Sequence, residues 1–313
     1  MTRTAFLFPG QGARRAGMGR DLLAGRPELA DRYYLEADRL LGIPLSWACL
    51  HGPDGPLREA PVSQPAVLLT SLVTLDVLRS RGAEPDVVVG HSLGAYTALV
   101  AAGALDWTDA LWLVRLRGEL VAAADDRVPG RMAALWGLPL AAAARLCAEA
   151  RLATGETVET ANDGEGGRVV VSGQLRAVAH VLDAAGAAGI RATGLSVGAA
   201  LHSSLMRETE AEFGEALAAT EFRDPVVPVV CGSTGEFLTT GTAARESLRG
   251  ELSRPVRWAA AADRMAALDV TRFVEVGPGR TLGGLLRRLD PKARVHATGT
   301  AAQLSLTTAA LAA

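Results

Sequence analysis

A serine in a glycine-flanked turn is the residue of this sequence best suited to do chemistry. Residues 90–94 read Gly-His-Ser-Leu-Gly and match G-x-S-x-G, the nucleophile elbow between a strand and a helix. The sharp turn exposes the serine hydroxyl, and the flanking glycines avoid clashes between strand and helix. The helix N-terminus and the backbone N–H of Leu93 can then stabilise an oxyanion. The pattern predicts Ser92 as a nucleophile and by itself fits an esterase, a lipase or a thioesterase equally well.

A serine hydroxyl needs an adjacent base to become a good nucleophile. The sequence offers five histidines, His51, His91, His180, His202 and His296. His91 adjoins Ser92 and should leave the turn in another direction, whereas His180 lies on an apolar helix. His202 follows a stretch of small residues at 198–201 and precedes a helix, which predicts a domain junction where clefts form. The pattern favours His202 as the base without excluding the others.

Strands and helices with simple patterns surround the elbow. The Asp-Val-Val-Val run at 86–89 predicts a strand buried on both faces, and residues 95–102 predict the helix that leaves the turn. Residues 5–8 predict a first strand, which the Pro-Gly-Gln-Gly turn at 9–12 closes. Further helices are predicted at 27–41, from about residue 65 to before Gly82, and from the N-cap Asp106 to about residue 124.

The middle of the chain has a different order of elements. Strand-like and helical patterns follow one another as β-α-β-β-α-β, the order of a ferredoxin-like fold. Strands of the main core resume at 226–230 and 273–276. We therefore predict an α/β-hydrolase-like core with a parallel sheet and an inserted ferredoxin-like small subdomain. The large subdomain is predicted to comprise residues 1–130 and 197–313, and the small one residues 131–196.

Composition excludes several classes of protein. Apolar residues make up 49% of the 313 residues, which is enough for a large core, and the net charge is −2. That charge argues against bulk attraction to nucleic acid or to an acidic membrane. No secretory segment or membrane span is expected, because the apolar stretches are broken well short of a span. The three cysteines have neither metal-like nor disulfide-like spacing, which suits a reducing cytoplasm.

Eight short motifs in one order resemble those of malonyl-CoA:acyl carrier protein transacylases and of the acyltransferase domains of polyketide synthases. They are Phe-Pro-Gly-Gln-Gly at 8–12, Ser-Gln-Pro-Ala at 63–66, Gly-His-Ser-Leu-Gly at 90–94, Arg-Gly at 117–118, Ala-Asn at 161–162, His-Ser at 202–203, Pro-Val-Arg-Trp at 255–258 and Glu-Val-Gly-Pro-Gly at 275–279. Several motifs in register are far more specific than any one of them. The resemblance implies a stand-alone acyltransferase that needs no metal and no cofactor besides its thioester substrate.

The resemblance implies a role for each matched residue. Ser92 becomes the acyl-enzyme, and His202 acts first as general base and then as general acid. Gln11 corresponds to the residue whose backbone N–H joins that of Leu93 in the oxyanion hole. Arg117 corresponds to the arginine that pairs bidentately with the free carboxylate of malonyl-type groups, a geometry that the planar guanidinium favours. The alternative for Arg117 is a surface salt bridge.

The resemblance implies roles for three further positions, and the match is partial at one of them, Glu251. Gln64 and Asn162 correspond to polar residues that line the pocket. In the family a backbone carbonyl orients the histidine, here at Glu251, where relatives often have an amide side chain. The alternative for Glu251 is a solvated helix residue.

The departures from the family pattern concern the acyl pocket. Ala95 stands where a glutamate is common, and Val121 stands where a methionine is usual. The segment Ala199-Ala200-Leu201-His202 differs from His-Ala-Phe-His of malonyl-selecting domains and from Tyr-Ala-Ser-His of methylmalonyl-selecting ones. Small Ala199 and aliphatic Leu201 therefore predict a roomier and more apolar pocket wall, and Ala200 and Leu201 are predicted to contact the substrate.

The resemblance implies acyl-CoA as donor and the phosphopantetheine thiol of an acyl carrier protein as acceptor, in polyketide or fatty-acid biosynthesis. Carrier proteins are acidic, and two basic segments could receive one: Arg245, Arg249, Arg254 and Arg257, or Arg287, Arg288, Lys292 and Arg294. Two other functions remain open. One is transfer of a non-malonyl group between carrier proteins, and the other is an editing hydrolase that releases acyl groups to water.

Overall fold

Two β-sheets form the frame of the computed structural model, which describes residues 3–312. The strands are β1 Arg3–Phe8, β2 Val87–Gly90, β3 Gly130–Trp136, β4 Val158–Thr160, β5 Arg168–Gln174, β6 Arg191–Gly198, β7 Val229–Val230, β8 Phe237–Leu238, β9 Val270–Glu275 and β10 Arg294–Ala297. The helices are α1 Pro27–Leu29, α2 Glu36–Leu41, α3 Leu45–Leu50, α4 Ala60–Ser80, α5 Gly94–Ala101, α6 Trp107–Arg127, α7 Leu140–Thr154, α8 Leu175–Ala187, α9 Arg207–Ala219, α10 Gly241–Arg249, α11 Trp258–Ala266, α12 Thr281–Leu289 and α13 Ala301–Ala312. A π-helical segment, Ala30–Leu35, joins α1 to α2 into the helix expected at 27–41.

The larger sheet has six strands in the order β10-β9-β1-β2-β7-β8. Its first five strands are parallel, and only β8 runs antiparallel to its neighbour β7. Phe8 at the end of β1 pairs with Gly90 at the end of β2, and Leu7 pairs with Glu275 at the end of β9. The carboxyl ends of the central strands therefore meet at one edge, where open parallel sheets place their ligand sites.

Alternating side chains of the central strands supply two separate cores. Phe6 and Val88 belong to the larger apolar cluster, which packs against α4, α5 and α6. Leu7 and Val89 point to the opposite face and pack with Trp258 of α11. A strand covered on both faces reads as a continuous apolar run, as the sequence of β2 does.

The smaller sheet is antiparallel throughout, with the order β4-β5-β3-β6. One face packs against α7 and α8 through residues such as Leu135 and Val171. The other face turns Met132 and Val170 toward the segment that precedes His202.

The expected α/β core with an additional ferredoxin-like sheet is confirmed, while the boundaries proposed for the two subdomains stay a prediction. Residues 1, 2 and 313 lie outside the described residues.

Two elements differ from expectation, and prolines are involved in both. Helix α4 begins at Ala60 instead of near Pro65, and it encloses Pro65. Pro65 lacks an N–H, so the carbonyl of Pro61 is left free within the helix, and Nη1 of Arg115 donates to it at 3.0 Å. The strand expected at 226–230 is reduced to β7, because Pro225 and Pro228 cannot donate to a sheet.

Helix α4 also corrects the expectation that no segment reaches membrane-spanning length. Among the described residues this one helix is long and apolar enough to span a membrane by length and composition. However, 83% of its most apolar 18-residue window is buried within the fold, which is the pattern of a core helix.

Candidate active site

The turn between β2 and α5 holds Ser92 in a strained backbone conformation. Its φ angle is +52°, in the left-handed region that non-glycine residues rarely occupy. A Cβ atom on Gly90 would lie 2.2 Å from the nitrogen of Ala95, and one on Gly94 would lie 2.0 Å from the carbonyl oxygen of Phe8. Both glycines are therefore required for the close approach of the turn to its neighbours, as the elbow pattern predicts.

The side chain of His202 meets Ser92 across the site. Its Nε2 lies 2.9 Å from the hydroxyl oxygen of Ser92, although the two residues are 110 positions apart. His202 is buried and also has a positive φ angle of +59°. Its Nδ1 lies 2.9 Å from the backbone oxygen of Glu251 and 3.1 Å from that of Arg254. Carbonyl oxygens only accept, so Nδ1 carries the proton and Nε2 is free to accept one from Ser92.

Burial lowers the pKa of His202 below its ordinary value, although the nearby carboxylate of Glu251 opposes the shift. The imidazole is therefore neutral at physiological pH. A neutral imidazole with a free Nε2 can accept the hydroxyl proton of Ser92.

Two residues whose backbone N–H groups could bind an oxyanion lie on the elements next to Ser92. Leu93 follows it at the N-cap of α5, and Gln11 lies in the loop after β1, whose end pairs with that of β2. Within residues 3–312 neither N–H donates to another backbone group. The side chain of Gln11 donates to Ser63 at 2.9 Å and lies 3.5 Å from the amide of Gln64. These contacts fix the loop beside the elbow.

Arg117 of α6 is completely buried, which excludes the alternative of a surface salt bridge. Its Nη1 donates to Oε1 of Gln64 at 2.8 Å, and its Nη2 lies 3.4 Å from the hydroxyl of Ser92. Nε and Nη2 both donate to Oε2 of Glu251, at 3.2 and 2.8 Å. The guanidinium thus lies beside the hydroxyl, within reach of a group carried on Ser92.

Glu251 is buried too, so the alternative of a solvated helix residue is excluded. Burial alone would raise the pKa of Glu251, but Arg117 and His202 hold that pKa below its ordinary value. The pKa of Arg117 is raised above its ordinary value, because the carboxylate outweighs the effect of burial. Both side chains are therefore charged, and the site contains a buried ion pair directly beside the Ser92–His202 pair.

A cleft of about 140 Å³ opens from Ser92 toward the smaller sheet. The smaller sheet lines it with apolar side chains that include Met132, Val170 and Val197, and α12 contributes Leu282. Leu201 lines the cleft as expected. Ala200 does not line the cleft, because its side chain packs in the core against Gly130. The approach is so close that a Cβ atom on residue 130 would lie 2.8 Å from the Cβ of Ala200. The apolar wall predicted for the 199–202 segment therefore rests on Leu201 alone.

Asn162 also lines the cleft, but its amide is engaged with the backbone. Its Oδ1 accepts from the N–H of Val170 at 2.9 Å, and its Nδ2 donates to the carbonyl of Arg168 at 3.1 Å. This side chain holds the loop between β4 and β5 in position. Its assignment as a substrate-binding residue stays a prediction.

Sequence reasoning missed a second buried glutamate in the cleft. Glu165 lies 3.1 Å from Nε2 of His91 and accepts from Arg168 at 2.8 Å. Burial alone would raise the pKa of Glu165, but His91 and Arg168 hold it below its ordinary value. The side chain of His91 thus leaves the turn in another direction than Ser92, as expected. Glu165 lies in a glycine-rich loop 74 residues from His91, and no motif connects the two.

A second, smaller cavity of about 20 Å³ also borders Ser92. Ala95, Ser247 and Glu251 are among the residues that line it. The small side chain of Ala95, at the position where the resemblance indicates a glutamate, leaves this space open. The carboxylate of Glu251 therefore borders both the Ser92–His202 pair and an adjoining space.

Comparisons with known proteins agree with this geometry. The family described as "Acyl transferase domain" matches residues 5–288. The chain is 38% identical over 291 residues to a malonyl CoA-acyl carrier protein transacylase of Escherichia coli strain K12. This alignment covers 92% of the chain and 93% of the relative. It is 36% identical over 298 residues to the protein of the same description from Bacillus subtilis strain 168, over 95% of the chain and 93% of the relative.

Solved structures give the same result for the fold. A crystal structure of a malonyl-CoA:acyl carrier protein transacylase from Xanthomonas oryzae matches with a TM-score of 0.93 at 34% identity, covering 99% of both chains. A malonyl-transacylase in complex with its type II polyketide synthase acyl carrier protein also has a TM-score of 0.93, at 33% identity over 99% of this chain and 100% of the other.

Proposed function

The chain belongs to the acyl transferase domain family that includes the malonyl-CoA:acyl carrier protein transacylases, and we propose that it moves a malonyl-type group from coenzyme A to a carrier protein. The observation that carries the proposal is the 2.9 Å distance between Ser92 Oγ and His202 Nε2 at the base of the cleft. The acceptor is the phosphopantetheine thiol of an acyl carrier protein, in fatty-acid or polyketide biosynthesis.

In the first half-reaction His202 acts as the base. Nε2 takes the hydroxyl proton while Oγ of Ser92 attacks the thioester carbonyl, which gives a tetrahedral oxyanion. Collapse of this intermediate breaks the carbon–sulfur bond, and His202 returns the proton to the departing thiolate of coenzyme A. The product is an acyl ester on Ser92.

The second half-reaction reverses these steps with a different thiol. His202 takes the proton of the carrier thiol, whose sulfur attacks the ester carbonyl of the acyl-enzyme. When the carbon–oxygen bond breaks, the proton goes to Oγ of Ser92 and restores the free enzyme. One serine and one histidine therefore serve both thioesters.

The N–H groups of Leu93 and Gln11 are the donors that we assign to the oxyanion. Each is a backbone group in a fixed turn, so no reorganisation is needed as the negative charge develops. Loss of one such donor costs about 3 kcal/mol of transition-state stabilisation.

Arg117 is the group that we assign to the free carboxylate of the acyl chain. Its Nη2 lies 3.4 Å from the hydroxyl that would carry the ester, which is close enough to reach the far end of a three-carbon acyl group. We expect Arg117→Ala to slow transfer of carboxylated groups selectively, and an equal loss with uncharged groups would contradict this role.

The carrier protein would approach over a basic surface beside the cleft. Arg245 and Arg249 are partly neutralised by Glu246, at 3.6 and 3.3 Å. The segment of Arg287, Arg288, Lys292 and Arg294 is exposed, and it begins on α12, whose Leu282 and Leu285 line the cleft. We favour this second segment as the docking surface.

We further propose that the enzyme works in the cytoplasm and needs no cofactor beyond its thioester substrates.

A donor panel tests the proposed function. The enzyme is incubated with malonyl-, methylmalonyl- and acetyl-CoA, with and without a holo acyl carrier protein, and both proteins are weighed by intact mass spectrometry. We expect a malonyl adduct on the enzyme that moves to the carrier protein. A larger or uncharged adduct alone would indicate another acyl group, and release of free acid without carrier labelling would indicate a hydrolase.

A further inference from the structure

The carboxylate of Glu251 lies on the group that would hold the acyl carboxylate. Its Oε2 accepts from Nε and Nη2 of Arg117, which occupies one of the two bidentate edges of the guanidinium. On the other edge Nη1 donates to Gln64, and Nη2 faces Ser92. A carboxylate carried on Ser92 therefore meets an arginine whose positive charge is already paired.

The second oxygen of Glu251 has no comparable partner. Within the described part of the chain Oε1 is buried and accepts no hydrogen bond, and it lies 3.8 Å from Nε2 of His202. The carboxylate thus holds one oxygen on Arg117 and one toward the Ser92–His202 pair. A second carboxylate entering this space would stand beside it in a region of low dielectric, where like charges repel strongly.

We propose that Glu251 is a specificity-determining residue that weakens the preference of this site for carboxylated acyl groups. The inference rests on the proposed function, since it concerns which group Ser92 carries. To bind Arg117 bidentately, a malonyl group must displace Glu251 toward the adjoining cavity or share the guanidinium with it. An uncharged group of the same shape leaves the Arg117–Glu251 pair intact and meets no such barrier.

The replacement Glu251→Gln tests this most directly, because it removes the charge and keeps the shape. Malonyl-CoA is compared with acetoacetyl-CoA, in which a methyl group stands in place of one carboxylate oxygen. Rates of acyl-enzyme formation at several donor concentrations give kcat and KM for each donor. We expect the malonyl-to-acetoacetyl ratio of kcat/KM to rise about tenfold, as freeing one charged hydrogen bond implies. The rise should come from a lower KM for malonyl-CoA.

Glu165→Gln is the matched control. It removes the same charge from another buried glutamate of the site, which pairs with Arg168 and His91 and makes no contact with Arg117. We expect it to change the donor ratio by less than about threefold, because its carboxylate is bound to His91 and Arg168 and the charge pairing of Arg117 stays as it is. Glu251→Asp is a second test that retains the charge but draws it back by one methylene. Glu251→Asp should raise the malonyl-to-acetoacetyl ratio by less than Glu251→Gln does. It replaces Glu251→Gln as the test if that variant does not fold.

The outcomes separate this inference from the proposed function. An unchanged or lower ratio in the position 251 variants, with malonyl-enzyme still formed by the wild type, overturns the inference and leaves the function intact. An equal rise in Glu165→Gln also overturns it. Malonyl-enzyme formed by Glu251→Gln but not by the wild type supports the inference and overturns the function. Failure of every protein to form it overturns both.

Discussion

The Ser92–His202 reacting pair and the proposed acyl-carboxylate pocket around Arg117 lie side by side but are held in different ways. Ser92 and His202 both have left-handed backbone conformations, and two carbonyl oxygens orient the imidazole. Arg117 is held by side chains, namely the amide of Gln64 and the carboxylate of Glu251. The reacting pair is therefore built by the backbone, whereas the pocket is built by side chains from separate segments.

This difference determines which substitutions each region can accept. A backbone carbonyl orients His202 whatever side chain the residue carries, so position 251 can change from amide to carboxylate without disturbing the reacting pair. The same change alters the charge around Arg117 completely. We therefore expect a change at this one position to leave the chemistry intact while it alters the choice of acyl group.

Loss of the imidazole should give the largest effect on the reacting pair. We expect His202→Ala to lower kcat/KM for acyl transfer by about 10³ to 10⁴-fold with every donor, because Ser92 then lacks its base. The rate is measured with malonyl-CoA and with acetoacetyl-CoA. His180→Ala on α8 is the control and should leave the rate unchanged. A loss confined to one donor would place His202 in the pocket instead of in the chemistry.

Breaking the ion pair should give the next largest effect, on stability. Arg117→Ala leaves the buried carboxylate of Glu251 without its partner, and we expect the free energy of unfolding to fall by about 3–5 kcal/mol. The double variant Arg117→Ala/Glu251→Ala should recover part of that loss. Urea unfolding of the wild type, of Arg117→Ala, of Glu251→Ala and of the double variant measures the coupling between the two side chains. If the losses of unfolding free energy from the two single changes simply add in the double variant, Arg117 and Glu251 do not stabilise each other. That result would contradict the ion pair as the contact that holds Arg117.

A methyl group placed in the elbow tests the contribution of the backbone. A Cβ on residue 94 would lie 2.0 Å from the carbonyl oxygen of Phe8, so we expect Gly94→Ala to cost about 3 kcal/mol of stability. Gly186→Ala is the matched control, because no atom lies within 4 Å of its added Cβ and helix α8 gains a better helix former. Thermal unfolding that shows equal effects of the two changes would contradict a tightly packed elbow.

The smallest expected effect is on the pH dependence of kcat/KM, because Glu251 of the pocket affects the pKa of His202 in the reacting pair. His202 accepts a proton only when neutral, so kcat/KM should fall as pH drops through its pKa in the free enzyme. Burial holds that pKa below the ordinary value of 6.5, and the carboxylate of Glu251 opposes the shift. Glu251→Gln removes the opposing charge, so the acidic limb should move further down by less than about one pH unit. A limb that moves upward would show that the carboxylate does not act on His202.

The parts of the fold that depend on the backbone could be predicted from the sequence. The valine run of β2, the glycines of the elbow and the order of elements in the smaller sheet each follow from local patterns. The start of α4 could not be predicted, because a donor from Arg115, 54 positions away, is what satisfies the carbonyl freed by Pro65. A contact between side chains that are distant in the sequence does not change the periodic pattern of apolar residues from which helices and strands are predicted.

The same limit applies within the site. Ser92 is marked by its turn, and His202 becomes evident only through the resemblance to a family. The ion pair of Arg117 with Glu251 joins residues 134 positions apart, and neither residue type indicates the other. The expected place of Ala200 in the cleft failed for a related reason, since the close approach of Gly130 draws that residue into the core.

Localisation of the acyl group tests the central claim most directly. The wild-type enzyme is incubated briefly with malonyl-CoA, quenched in acid, digested and mapped by tandem mass spectrometry, with Ser92→Ala as the control. We predict one malonyl ester, on Ser92, which disappears on addition of holo carrier protein as the carrier gains the same mass. A malonyl group on another residue, or a labelled Ser92→Ala enzyme that still supplies the carrier, would contradict the account.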